Sequence, residues 1–388
     1  MLRSAFFIRL ISIITLLHVY IGVRLISDLP VGAPYKWLGG LLLVVSVFLI
    51  PLGMAARTIK KQPLSDLLAW IGYLAIGLFS SLLVLTVLRD ILLLLLYVVN
   101  RLRGIASTPY DFISVSALCV PALAVLLTLL GVYYARRNAP VKIIDVPIPG
   151  LAAALHGFKI VQITDIHIGP TIKRGYVEKI VATVNGLKAD LIAVTGDVVD
   201  GTVPRLAADA QPLGALSARH GTFFVTGNHE YYSGADEWIV EFRRLGFRVL
   251  MNEHVVVNHD GAHAVVAGVT DFNAGNVDPA HMSSPEKAIQ GAPRDIPFRL
   301  LLAHQPRSAA AASEAGFTLQ LSGHTHGGQF LPWMFFIRFQ QPFVHGLGKL
   351  NDLWVYTSRG TGYWGPPIRL AAPSEVTLLR LVADQPAV

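Results

Sequence analysis

Five short motifs in the second half of the chain carry residue types that hold cations and move protons. In order they are Asp165-Ile166-His167, Gly196-Asp197, Gly227-Asn228-His229-Glu230, His304 and Gly323-His324-Thr325-His326-Gly327-Gly328. Singly they say little. Asp-X-His is common, an isolated His after an apolar run is usually a surface group, and Gly-Asn-His-Glu also reads as a turn with a helix cap. The paired histidines are stronger, because two imidazoles one residue apart can face two neighbouring ions. All five motifs close short apolar runs, and such stacking rarely arises without function. Carboxylate, imidazole and amide oxygen together suit Mn, Fe or Zn better than Mg, which prefers partly hydrated all-oxygen sites.

The elements that must position these residues follow from the runs before them. Residues 158–164, 190–195, 222–226, 298–303 and 318–322 are nearly continuous apolar segments of strand length, so they read as buried strands covered on both faces. Polar groups at their carboxyl ends sit where α/β folds place their sites. Segments 174–187, 204–218, 234–245 and 306–315 read as the covering helices.

Together the motifs resemble the signature of the calcineurin-like metallophosphoesterases over roughly residues 158–382. The Gly-Gly-Gln ending at Gln329 and an apolar first half resemble the transmembrane subgroup. The resemblance implies an α/β fold, a four-layer α-β-β-α sandwich preceded by an α-helical transmembrane domain. It also implies two divalent metal ions, one held by Asp165, His167 and His326 and the other by Asn228, His304 and His324, with Asp197 shared. Ions about 3.5–4 Å apart lower the pKa of a shared water and clamp the attacking and leaving oxygens. His229 is expected as the catalyst, protonating the leaving oxygen or stabilising charge. Asp200 and Glu230 are expected either to orient ligands or to cap helices. In the closing segment 358–369, Arg359 and Arg369 are expected to bind substrate phosphate or, as readily, to pair with the acidic surface. His345 is a further pocket candidate.

The first 140 residues differ in kind. Hydrophobic residues make up 53% of the chain and charged residues 15%, and the excess is concentrated here. Twelve Lys/Arg stand against four Asp/Glu in residues 1–140, while the remainder is close to neutral and holds every histidine but His18. The pI near 9.5 therefore comes from the apolar half, and no nucleic-acid partner is expected. The lone Cys119 lies in an apolar run and supports neither a disulfide framework nor a Cys-based metal site. Apolar stretches at 5–26, 37–56, 67–99 and 113–135 are long enough to cross a hydrocarbon core of about 30 Å. The third carries Arg89-Asp90, so 67–88 is read as the span and 91–99 as a bent or interfacial continuation. The expected layout is a transmembrane domain of about four helices over 1–140, an extended linker over 141–157 around Pro147 and Pro149, and a phosphoesterase domain over 158–388.

Loop charge gives an orientation. Eight basic residues (Arg3, Arg9, Arg57, Lys60, Lys61, Arg136, Arg137, Lys142) fall on one side against four (Arg24, Lys36, Arg101, Arg103) on the other. That places both the N-terminus and the phosphoesterase domain in the cytoplasm, at a bacterial plasma (inner) membrane. The aromatic run 330–339, which follows the last metal motif, suits a bilayer interface. The expected activity is hydrolysis of a phosphomono-, phosphodi- or pyrophosphate ester by metal-activated hydroxide. A lipid-derived substrate is expected, and the resemblance extends to hydrolases of acylated UDP-sugars. The alternative is a membrane receptor or scaffold that binds a ligand through a catalytically weak domain.

Overall fold

The computed structural model describes residues 2–56, 59, 61–105 and 107–384, with side chains from residue 8 onward. The loop cations Arg57 and Lys60 and the last four residues lie outside that set. The chain divides into two units, Met1–Tyr134 with Gly365–Leu370, and Ala135–Trp364 with Ala371–Val388.

The first unit contains α1 (Leu2–Leu25), α2 (Ala33–Ala55), α3 (Leu64–Leu102) and α4 (Tyr110–Arg136), the last running two residues into the second unit. All four are long and apolar enough to cross a membrane. The expected break at Arg89-Asp90 does not occur: α3 is one helix of 39 residues. At 1.5 Å per residue it is about 58 Å long, so it outruns a hydrocarbon core by about half its length. The helix stays whole because its neighbours satisfy the charges. Arg89 is buried and donates to Asp28 Oδ2 (2.7 Å), Ser116 Oγ (2.9 Å) and the carbonyls of Arg24 (2.9 Å) and Ile113 (3.1 Å). Asp90 accepts from Tyr20 Oη (2.7 Å) and Arg24 Nε (2.9 Å).

The second unit is built on twelve strands. In chain order these are β1 (Val141–Ile148), β2 (Lys159–Ile163), β3 (Leu191–Val194), β4 (Thr222–Phe224), β5 (Arg248–Val249), β6 (Glu253–His259), β7 (Ala262–Gly268), β8 (Arg299–Leu302), β9 (Leu319–Ser322), β10 (Gly346–Leu350), β11 (Leu353–Thr357) and β12 (Val376–Ala383). They form two six-stranded sheets, ordered β1-β12-β2-β3-β4-β5 and β10-β11-β9-β8-β7-β6. Strands β2 to β5 run parallel in the first sheet, as do β11, β9, β8 and β7 in the second. The expected linker is corrected here: Val141–Ile148 is a strand, paired parallel to β12 from Val141↔Val376 to Ile148↔Ala383. It is an edge strand, the position where a proline such as Pro147 breaks no ladder on its free side.

Side-chain alternation decides which face each sheet buries. Leu191 and Ala193 of β3 join Phe223, Leu300, Leu302, Leu319 and Leu321 in a core between the sheets. Ile192 and Val194, one residue out of phase, face the other way with Val177, Ile180 and Val184 of α5 (Arg174–Gly186), Leu206 of α6 (Val203–Ala210), and Trp238 and Phe242. Beyond α7 (Asn228–Ser233), those last two lie on α8 (Ala235–Arg244). On the far side of the second sheet, Leu301, Ala303 and Val355 pack with Ala288 of α9 (Pro285–Ile289) and Ala312 of α10 (Ala309–Glu314). The result is the four-layer α-β-β-α sandwich.

Candidate metal centre

Parallel strands place their carboxyl ends on one side, and the motifs emerge there from both sheets. Asp165 and His167 follow β2, Asp197 follows β3, and Asn228 opens α7 after β4; His304 follows β8, and His324 and His326 follow β9. Five of these seven residues hold left-handed backbone: Asp165, His167, Asp197, His324 and His326, with φ between 51° and 69°. That conformation is uncommon outside glycine and costs on the order of 1–3 kcal/mol per residue. Such strain persists only where the surroundings impose it, and here the loops are tied to one another. His167 N–H donates to Asp197 O (3.1 Å), His229 N–H to Asp197 Oδ1 (2.8 Å) and His324 N–H to Asp165 Oδ1 (3.0 Å). The buried Glu230 carboxylate accepts from the N–H groups of Gly227 (2.7 Å), Asp197 (2.9 Å) and Val198 (2.8 Å), which sets the Asp197 loop against α7. Two motif glycines exist for space: a Cβ on Gly227 would strike the Asp197 carboxylate, and one on Gly323 the Asp165 carboxylate.

The donor atoms converge in groups. Asp165, His167 and His326 form one, Asp197, His304 and His324 another, and His167, Asp197 and His229 a third, the ligand atoms within each lying within 4.8 Å of one another. Asp197 Oδ2 stands 3.1 Å from His304 Nε2 and 4.0 Å from His167 Nε2, so one carboxylate reaches both sides. The donor chemistry fits cations. His304 Nδ1 lies 2.8 Å from the Thr195 carbonyl and His167 Nδ1 3.1 Å from Asp200 Oδ1, which assigns a ring proton to Nδ1 and turns Nε2 of both toward the centre. Those Nε2 atoms face His324 Nδ1 at 3.2 Å and His326 Nε2 at 3.0 Å. Asn228 Oδ1 is buried and accepts no hydrogen bond, an arrangement that costs free energy unless something electropositive meets it.

Four carboxylates are buried together here: Asp165, Asp197, Asp200 and Glu230. Burial alone would raise Asp197, but His304, His229 and His167 outweigh it and hold its pKa below the carboxylate range. His304 responds in reverse, its imidazole raised well above its usual pKa by Asp197 against the effect of burial. Burial and the neighbouring Asp197 push Glu230 up to about 7. A site with this demand for positive charge is completed by cations.

Asp200 is the link that local spacing did not settle. Its Oδ1 meets Nδ1 of both His167 and His229, so it orients a ligand histidine and the candidate catalyst at once. A cleft of about 430 Å³ opens on the centre. His167, Asp197, Asn228, His229, His324 and His326 form its floor. Tyr232, Phe330, Trp333, Phe336, Ile337 and Trp364 form its walls. The expected aromatic segment is thus a wall of the cleft, with α11 (Trp333–Phe336) at its middle. Sequence reasoning gave no role in the cleft to Tyr232, to Gln329 at the end of its motif, or to Trp364 within the segment 358–369.

The two arginines separate. Arg359 packs its stem on Gly327 and turns its guanidinium to His345 Nδ1 (3.4 Å), beside the centre but outside the cleft lining. Arg369 is 1% exposed, groups with the helical unit and donates its N–H to Gly131 O (3.0 Å).

The calcineurin-like phosphoesterase family profile matches residues 158–328. A transmembrane protein with metallophosphoesterase domain from Danio rerio is 38% identical over 66% of this chain and 61% of its own length. The chain spans about three fifths of that relative. An uncharacterized metallophosphoesterase from Aquifex aeolicus is 33% identical over 58% of this chain and 84% of its own. Among solved structures, GAP50, the anchor in the inner membrane complex of Plasmodium, matches 57% of this chain and 80% of its own at 11% identity and a TM-score of 0.35, too low to bear on function. Motifs, sandwich and relatives agree: the chain belongs to the calcineurin-like metallophosphoesterase family.

Proposed function

We propose that the chain is a membrane-anchored, two-metal phosphoester hydrolase whose substrate is an amphiphile, its phosphate at the metal centre and its apolar part on the aromatic wall. The observation that carries this reading is the convergence of carboxylate and imidazole donors at an aromatic-walled cleft that Asn228 also lines. In it, Asp165, His167 and His326 hold one divalent ion, Asn228, His304 and His324 the other, and Asp197 both. The donor set favours Mn, Fe or Zn over Mg. Bound there, the ions supply Lewis-acid polarisation and lower the pKa of water.

The chain's own residues do the rest. Asn228, neutral, ligates without adding the negative charge that would repel an anionic phosphate. Water, its proton released to solvent, attacks phosphorus as hydroxide opposite the leaving oxygen, the P–O bond breaks, and its electron pair leaves with that oxygen. His229 gives the oxygen a proton from Nε2 while Asp200 holds Nδ1. Arg359, beside Gly327, steadies the phosphate from outside the cleft.

Within amphiphilic phosphoesters, we favour lipid-linked substrates such as acylated UDP-sugars, since an acyl chain suits a wall of Phe and Trp. The excess of basic loop residues supports an orientation with the centre on the cytoplasmic side, for which we propose a bacterial plasma membrane as the setting. A reporter fused after Asn138 that works only outside the cytoplasm would reverse that orientation. The activity is tested with the full chain in detergent and Mn²⁺, against membrane lipids, UDP-linked acyl-sugars and a small aryl phosphodiester. Turnover of all three, with kcat/KM highest for an amphiphile, is expected. No turnover by metal-loaded protein contradicts the hydrolase reading, and no preference among substrates contradicts the amphiphile.

A further inference from the structure

Two aromatic rings stand at His229. The Tyr232 ring centroid is 5.4 Å from the imidazole at an interplanar angle of 64°, and the Trp364 centroid is 6.2 Å away at 79°. Both rings line the cleft, and they are 68% and 48% exposed. At these angles the imidazole can cover at most one of the two faces of each ring.

Trp364 is nonetheless fixed in place. Its N–H donates to Gln329 Oε1 (2.9 Å) and its carbonyl accepts from Gln329 Nε2 (2.9 Å), so one amide side chain engages both polar groups of its backbone. This reciprocal pairing also settles which end of the amide is oxygen. Gln329 is buried, holds a left-handed φ of 54° and follows the His326-Gly327-Gly328 turn directly. The loop that carries His326 therefore also sets the position of the Trp364 backbone. An exposed ring on an immobilised backbone is preorganised to receive a ligand, because little ordering remains to oppose binding.

We propose that Trp364, with Tyr232, selects a flat aromatic leaving group, a nucleobase-bearing or aryl alcohol or phosphate, and that Gln329 is the positioning residue that holds Trp364 for it. The proposal rests on the reading of His229 as the proton donor, since the group that departs must lie at its Nε2. Flatness follows from the rings: open aromatic faces stack on planar partners of any identity. An aliphatic chain instead finds Phe330, Phe336 and Ile337 in the same cleft. One substrate with a flat head and an apolar tail would use both.

The test is equilibrium binding of 2-naphthylphosphonate and cyclohexylmethylphosphonate, neither of which can be hydrolysed, to the Mn²⁺-loaded full chain in detergent. The wild type should bind the naphthyl compound about tenfold more tightly, the scale of one stacked base. Trp364→Ala should erase that preference while changing cyclohexylmethyl affinity less than about twofold. Trp364→Phe should restore most of the preference, and Gln329→Ala should weaken naphthyl binding alone, with the Mn²⁺ content unchanged. No preference in the wild type, or equal losses of both ligands in Trp364→Ala, overturns the proposal. Because the readout is binding, a chain that shows this preference yet hydrolyses nothing contradicts the proposed activity and leaves selection by Trp364 standing.

Discussion

The two units treat buried charge in opposite ways. In the helical unit, Arg89 is 3% exposed, and its guanidinium meets a carboxylate, a hydroxyl and two carbonyls at 2.7–3.1 Å. Donors face acceptors and the guanidinium is satisfied. In the α/β unit, imidazole nitrogens face one another at 3.0 and 3.2 Å beside Asp165 and Asp197, with the Nδ1 protons of His167 and His304 already committed elsewhere. Ring nitrogens face ring nitrogens. A charge inside an apolar helix is by default a functional hypothesis, yet the paired Arg89 reads as architecture. Ring nitrogens and carboxylates gathered this closely are what would hold a cation.

The contrast can be broken from either side. The largest effect should come from Asp197→Ala, which removes the carboxylate common to both ion sites. Bound Mn²⁺ should fall below two per chain, and turnover of an aryl phosphodiester should drop by on the order of 10³-fold or more. Retention of two ions and full turnover would remove Asp197 from the centre. His229→Ala should lower turnover by about 10²–10⁴-fold while both ions stay bound. Loss of an ion there would instead move His229 among the ligands, as its grouping with His167 and Asp197 allows.

On the helical side, Arg89→Leu leaves Asp28 without its partner. Removing one member of a buried pair costs up to about 3–5 kcal/mol, and the low end is expected because Asp28 keeps 30% of its side chain exposed. A lower thermal midpoint in detergent is the expected reading, with Mn²⁺ content and turnover of a small soluble ester unchanged in folded protein. A parallel loss of metal would erase the distinction between the clusters. The smallest effect belongs to the cleft wall: Trp333, Phe335 and Phe336 together replaced by Ser should raise KM for an amphiphilic ester about tenfold more than for a small one, given a few buried apolar groups at stake. Equal changes would argue against a lipid-derived substrate.

The metal centre was more legible than its frame. Its donors lie in short motifs at strand ends, so residue type and position were visible together, and the structure gathers six of the seven, with Asn228 lining the same cleft. The frame depends on distant partners. β12 is an interior strand of the first sheet between β1 and β2, pairing with segments more than 200 residues earlier, which no local pattern announces. β1 read as a connector because Pro147 disfavours a strand interior, and only its edge position admits it. One miss had a signal: Asp260-Gly261 between β6 and β7 is a hairpin turn pair. Arg89-Asp90 read as a break because run length treats any charge as an interruption, whereas its partners lie on α4 and 60 or more residues earlier. Trp364 and Gln329 are 35 residues apart, and the two bonds between them appear only in the fold.

Electron paramagnetic resonance of the full chain reconstituted with Mn²⁺, read alongside metal content, addresses the centre most directly. Two ions per chain that share the Asp197 carboxylate should give an exchange-coupled dinuclear signal, and Asp197→Ala should abolish the coupling. A saturated wild-type protein that shows only isolated, uncoupled Mn²⁺ would contradict the two-metal centre.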